Sequence, residues 1–250
     1  MRVAVAGKGG AGKTTIAATM ARLEARRGEP VVAVDGDPNP NLAAALGVHP
    51  RAAAAAAFLP ASLVSRRLQG PALVLPVEEA VDRHALAAPD GVRLLLMGMP
   101  AHAEEGCLCA AHATVSALLG DLGTQPGTLT VVDMEASPEH LSRGTTRHVD
   151  ALLLVTEHYF RSLETVGRLA ALAGELPIPR VAVVANKVRS PIESDAIAAF
   201  CDRHGLDLLD QVPWSEEVIE ADLTGMPLLD VAPVSPAVAA IAHLTTRLRQ

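Results

Sequence analysis

The chain alternates between short apolar runs and longer stretches of mixed polarity. Val3 to Ala6, Val31 to Val34, Val92 to Met97, Leu129 to Val132, Ala151 to Val155 and Val181 to Ala185 are apolar runs rich in Val and Leu. Runs of this kind mark strands buried on both faces, and their separation by helix-like segments marks a parallel sheet wound on both sides. Helices are predicted over Lys13 to Arg27, Ala43 to Leu46, Ala111 to Leu119, Ser162 to Leu176, Ile192 to His204 and at the C-terminal end, most of them closing near Gly or Pro. The run Ala52 to Ala57 is read as helix, alanine being the best helix former. No Ser/Gly linker, fixed-period repeat or block of like charge suggests a boundary. The expectation is one α/β domain over residues 1–250, a doubly wound, mostly parallel sheet flanked by helices.

Composition narrows the reading. Half of the 250 residues are hydrophobic but only 2% are aromatic, so the core is filled by Ala, Val, Leu and Ile. A formal net charge of -7 argues against nonspecific nucleic-acid binding, which needs a clustered excess of Lys and Arg. No charged n-region with a cleavage site precedes the first strand, and no apolar run reaches the roughly 20 residues of a membrane span. A cytoplasmic protein without stable membrane anchoring is expected. Ala237 to Arg249 is compatible with a short amphipathic helix, of the kind that commonly caps a sheet. The cysteines are Cys107, Cys109 and Cys201, an odd number that argues against a disulfide framework and leaves metal binding and core packing in competition.

The strongest chemical signal is Gly7-Lys8-Gly9-Gly10-Ala11-Gly12-Lys13-Thr14-Thr15, a GxxxxGK[ST] motif between an apolar strand and a helix. Glycines let the backbone curl so that successive N–H groups, from Gly9 through Thr15, face a phosphate, and the following helix points its positive end at the same anion. Lys13 is then expected to bridge the β- and γ-phosphates of ATP, and the Thr14 hydroxyl to ligate Mg2+. Two strand ends carry carboxylates. Asp35-Gly36-Asp37-Pro38 follows the second apolar run, at the carboxyl edge where such sheets place their ligands, and Asp35 either organises that loop or helps to hold Mg2+ through water. Val131-Val132-Asp133 closes a later run, an Asp suited to the Mg2+ shell.

Lys8 distinguishes this loop from an ordinary one and resembles the signature lysine of the MinD, ParA, nitrogenase iron protein and ArsA group. That resemblance implies a lysine reaching across a dimer seam to the partner's nucleotide, with Asp37 positioning the attacking water, Asn186 against the adenine ring and Pro213 walling the base. Trp214 beside it is read either as part of that wall or as a core residue.

Glu105-Gly106-Cys107-Leu108-Cys109 sets two thiols two residues apart, on one side if the segment is extended. Two thiolates are half a site, and a twofold dimer brings four together, which suits Zn2+ or, in planar geometry, Ni2+. The segment Gly106 to Leu119 resembles the CxC region of the CooC-type nickel-insertion ATPases. So does Asp133-Met134-Glu135-Ala136 continuing to Glu139-His140-Leu141-Ser142-Arg143-Gly144-Thr145, although Ser137-Pro138 replaces the usual Gly-containing turn. The resemblance covers essentially the whole chain. It implies a homodimeric ATPase that binds Ni2+ or Zn2+ through Cys107 and Cys109 of each copy and serves carbon monoxide dehydrogenase or a related nickel enzyme as client. A positioning ATPase of the ParA/MinD kind and an ArsA-like targeting or efflux ATPase are the alternatives. His102 and His112 are read as polar residues outside the metal site, Cys201 as a packing residue, and His140 as orienting the switch.

Overall fold

A computed structural model describes residues 1–66, 70–98, 109–123, 127–135, 141 and 145–250. The element order is β1 (Arg2–Gly7), α1 (Lys13–Arg26), β2 (Val31–Gly36), α2 (Leu42–Leu46), α3 (Pro50–Ala54), α4 (Val77–His84), β3 (Leu86–Ala87), β4 (Arg93–Leu96), α5 (Cys109–Leu122) and β5 (Leu129–Met134). It continues with β6 (Ala151–Thr156), α6 (Phe160–Ala173), β7 (Arg180–Val188), α7 (Pro191–His204), β8 (Asp207–Pro213), α8 (Glu216–Thr224), α9 (Leu228–Val231) and α10 (Pro236–Leu248). Eight strands form one sheet in the order β3-β4-β2-β5-β1-β6-β7-β8. All pairings are parallel except the short β3–β4 edge.

The strands alternate their side chains between two apolar layers. Val3 and Val5 of β1 join Ala33, Leu94 and Leu153 in one core with α1 and α10. Ala4 and Ala6 join Val32, Leu95 and Leu152 in the other with α5, α6 and α7. Burial on both faces is why these strands read as unbroken apolar runs, each fully buried Val or Leu contributing roughly 1.5–3 kcal/mol. Gly7 is required where it stands, because a Cβ there would lie 2.3 Å from the Val155 carbonyl oxygen of the neighbouring strand.

The doubly wound sheet expected from the apolar rhythm is the observed architecture, and all six predicted strands are present. The alanine run behaves differently. Helix α3 ends at Ala54 and residues 55–57 leave it. None of its residues is fully buried, only Ala53 is partly covered, and so short a segment cannot be extended on propensity alone. Cys201 packs inside the second core as expected, and burial pushes its thiol up to about 11. His112, read as a polar residue outside the metal site, is buried in α5, 1% exposed. Helix α10 spends its apolar stripe on the core, through Val238, Ile241, Leu244 and Leu248. Among the described residues no helix is long and apolar enough to cross a membrane.

Candidate nucleotide site

Strand order brings three distant segments to one edge. Asp35 of β2 lies opposite Asp133 of β5, and Asp133 lies opposite Val5 of β1, so both carboxylates stand beside the start of the phosphate loop. The loop turns through an Ala11 N–H bond to the Lys8 carbonyl at 3.1 Å, and α1 begins at Lys13. Gly12 caps α1 in the left-handed region, φ 96°, without a side-chain cap. The first-turn amides are therefore left for an anion. A cleft of about 560 Å3 opens here, lined by Gly10, Gly12, Lys13, Thr14, Thr15, Asn186, Pro213 and Trp214 among others.

Thr14 and Asp133 meet beside the phosphate loop. The Thr14 hydroxyl donates to Asp133 Oδ2 at 2.6 Å, while Asp133 Oδ1 is buried with no hydrogen-bond partner. An unsatisfied carboxylate oxygen next to a hydroxyl is a hard-oxygen donor set and fits Mg2+ with part of its water shell. Among the described residues no three His, Cys, Asp or Glu side chains assemble as a metal cage.

The charge balance is strained without that cation. Burial pushes the Asp133 carboxyl up to about 7, with the Thr14 hydroxyl opposing and the negative charges of Asp35 and Asp37 adding to the rise. Burial likewise lifts Asp35 to about 6, against amide bonds from Leu42 and Asp37. Those bonds, at 2.8 and 3.2 Å, show that Asp35 organises the loop after β2. Asp37 accepts the Asn39 amide at 2.8 Å.

Both carboxyls bind protons more tightly folded than unfolded, where they titrate near 4. The stability they contribute is therefore full below about pH 4 and is lost as pH rises through about 6 to 7. With metal and nucleotide removed, the melting temperature is expected to fall between about pH 4 and 7 more steeply than that of Asp133→Asn, and Mg2+ with ADP should flatten the slope. A wild-type slope no steeper than the variant's contradicts this account.

At the other end of the cleft, Asn186 donates its amide to the Ala11 carbonyl at 2.6 Å, and a Cβ on Gly12 would lie 2.2 Å from the same nitrogen. The residue assigned to adenine thus also buttresses the phosphate loop. Trp214 is no core residue. Its half-buried ring lines the cleft, with the Arg189 guanidinium 3.7 Å from its centroid and its indole N–H bonded to Glu216 at 2.9 Å.

Three residues were given no role by the sequence reading. Lys187, in the left-handed region at φ 59°, donates to the Gly10 carbonyl at 2.6 Å and pairs with Glu157 at 3.4 Å. Glu157 accepts the Tyr159 hydroxyl at 2.8 Å. The Lys8 ammonium stands 5.0 Å from the centroid of the Tyr159 ring. The one available signal was a sole tyrosine just past a buried strand.

Cys109 is the first residue of α5 and is disulfide-bonded in this structure, contrary to the expectation of free thiols, so its use as a metal-binding thiolate requires the reduced protein. Cys107, His102, Ser137-Pro138 and His140 lie outside the described residues.

A glycine loop between strand and helix, a buried lysine in its first helical turn, and a Thr–Asp pair on a doubly wound parallel sheet define a P-loop nucleoside triphosphatase. Residues 3–228 match the model of the CobQ/CobB/MinD/ParA nucleotide binding domain, and the chain belongs to that family of ATPases. It is 36% identical to the carbon monoxide dehydrogenase accessory protein CooC of Rhodospirillum rubrum, over 93% of this chain and 91% of that one. Among solved structures, a ParA family ATPase from Chlorobium tepidum TLS superposes with TM-score 0.74 at 25% identity, covering 99% of this chain and 98% of that one. The septum site-determining protein MinD of Pyrococcus horikoshii OT3, complexed with Mg-ADP, has the same fold, with TM-score 0.72 at 19% identity over 100% and 97% of the two chains.

Proposed function

We propose that this chain is an ATP-driven metallochaperone that works as a homodimer, captures Ni2+ through Cys107 and Cys109 of both copies, and inserts it into carbon monoxide dehydrogenase or a related nickel enzyme. The observation that carries this reading is the likeness to CooC across nearly the whole chain, in a protein that combines the Thr14–Asp133 site with the Cys107-Leu108-Cys109 sequence. Zn2+ is the competing cargo for a thiolate site.

The residues divide the work as follows. Backbone amides from Gly9 to Thr15 and the N-terminus of α1 hold the β-phosphate, and Lys13 spans the β- and γ-phosphates. Thr14 and Asp133 are the residues that would hold Mg2+, which would supply neutralisation of the charge that develops on the phosphate oxygens. Asp37 orients a water in line with the γ-phosphorus. Its oxygen adds there as the bond to the bridging β-oxygen breaks, leaving ADP and phosphate. Asn186, Pro213 and Trp214 enclose the base. Lys8 reaches the nucleotide of the second copy, so triphosphate favours the closed dimer and its loss relaxes it. Metal affinity then follows nucleotide state if the Cys109 end of α5 takes a different position in each.

Titration of the reduced protein with Ni2+ is the test. A thiolate-to-nickel charge-transfer band saturating at one Ni2+ per two chains, and absent from Cys107→Ser/Cys109→Ser, is expected. A protein that gives no such band but sediments with lipid vesicles or DNA in the presence of ATP is a positioning ATPase instead.

A further inference from the structure

The chain contains one Tyr, one Trp and three Phe, and two of these, Tyr159 and Phe160, stand side by side on the surface, 36% and 74% exposed. Aromatic rings are ordinarily the most valuable core residues, and a protein with so few exposes adjacent ones for a reason that lies outside its own core. The pair follows β6, whose Val155 is paired with Gly7 of β1. That register puts both rings at the carboxyl edge of the sheet, next to the phosphate loop.

Tyr159 is anchored there. Its hydroxyl donates to Glu157 at 2.8 Å, and Glu157 pairs with Lys187, which grips the loop at the Gly10 carbonyl. The ring is thus tied to the frame that shapes the phosphate loop. Over it, 5.0 Å from the centroid, stands the Lys8 ammonium, within the range of a cation–π contact. A lysine stem has four rotatable bonds, and its ammonium is spread over many positions unless something holds it.

We propose that Tyr159 is the positioning residue for Lys8: its ring holds the ammonium at the carboxyl edge of the sheet, presented to the nucleotide of a second copy. The inference rests on the reading that Lys8 acts across a dimer seam, and it adds the device that keeps the lysine available for that contact.

Specific ATPase activity measured against protein concentration tests it, for wild type, Lys8→Ala, Tyr159→Leu, Tyr159→Met and Tyr159→Phe, each checked by thermal melting. Wild-type activity should climb with concentration to a plateau. Tyr159→Leu and Tyr159→Met should need about three- to fivefold more protein to reach half of it, the worth of one exposed cation–ring contact, with KM for ATP unchanged. Tyr159→Phe keeps the ring and should stay within about twofold of wild type. The proposal is overturned if the leucine and methionine variants match wild type, or if phenylalanine is as impaired as leucine, while Lys8→Ala still abolishes the concentration dependence. A wild-type curve that is flat, and that Lys8→Ala leaves flat, removes the dimer reading itself.

Discussion

Lys13→Ala is expected to lower ATP hydrolysis by about two to three orders of magnitude, the usual consequence of deleting one charged donor to the transferring group. The side chain is only 7% exposed and leaves from the first turn of α1, where the helix amides already face the same anion. Its positive charge is also felt by Asp133, so its removal takes away part of what offsets the carboxylates of Asp35, Asp37 and Asp133. Nucleotide affinity should weaken together with turnover, because the lysine meets phosphate in ground and transition states alike. The fold should survive, since α1 is held to the sheet by Ile16, Ala17, Met20 and Ala21. A folded Lys13→Ala protein that retains more than about a tenth of wild-type turnover would show that the phosphates are not held as described.

Arg22→Ala is expected to give the largest loss of stability. The guanidinium is 3% exposed and bonds Asp90 through Nε at 2.6 Å and both oxygens of Asp230 at 2.7 and 2.8 Å. Burial opposes its charge, but the bonds to Asp230 and Asp90 outweigh that and raise its pKa. The interaction joins α1 to the turn at Asp90 and to α9, and Pro227 and Leu228 beside Asp230 line the nucleotide cleft. Deleting the arginine leaves two carboxylates sharing the half-exposed Arg26. Breaking a buried pair from one side costs about 3 kcal/mol or more, which for a chain of this size lowers the melting temperature by about 6 to 12 °C. A weaker hold on α9 should also raise the Kd for ADP. A melting temperature within about 2 °C of wild type would mean that Arg26 and solvent replace Arg22 without loss.

Much of this site can be read along the chain. Gly7 to Thr15 is contiguous, and its position between an apolar strand and a helix carries most of its meaning. Asp133 was singled out because it ends a buried strand. The late region was harder. Strand β8 carries Asp207, Asp210 and Gln211 among its seven residues, so it lacks the unbroken apolar run by which the others announce themselves. Helices α4, α8 and α9 were passed over because short segments at the sheet's rim bury few residues, three, one and two respectively, too few for a clear period. The alanine run misled in the opposite sense: it is helical only to Ala54, and its propensity is backed by no more than the partly covered Ala53 and Ala56.

Local order in the chain was enough to establish that a phosphate loop, buried parallel strands and strand-end carboxylates exist, because each depends on residues within a few positions of one another. Their convergence was not contained in any window. Thr14 meets Asp133 across 119 positions, Asn186 meets Ala11 across 175, and Arg22 meets Asp230 across 208. The placement of Lys8 over Tyr159 depends on β6 lying next to β1, a consequence of strand order. Side chains so far apart in the chain become partners only once folding has chosen which strands are neighbours and in what register, and that choice is made by the sum of many buried contacts.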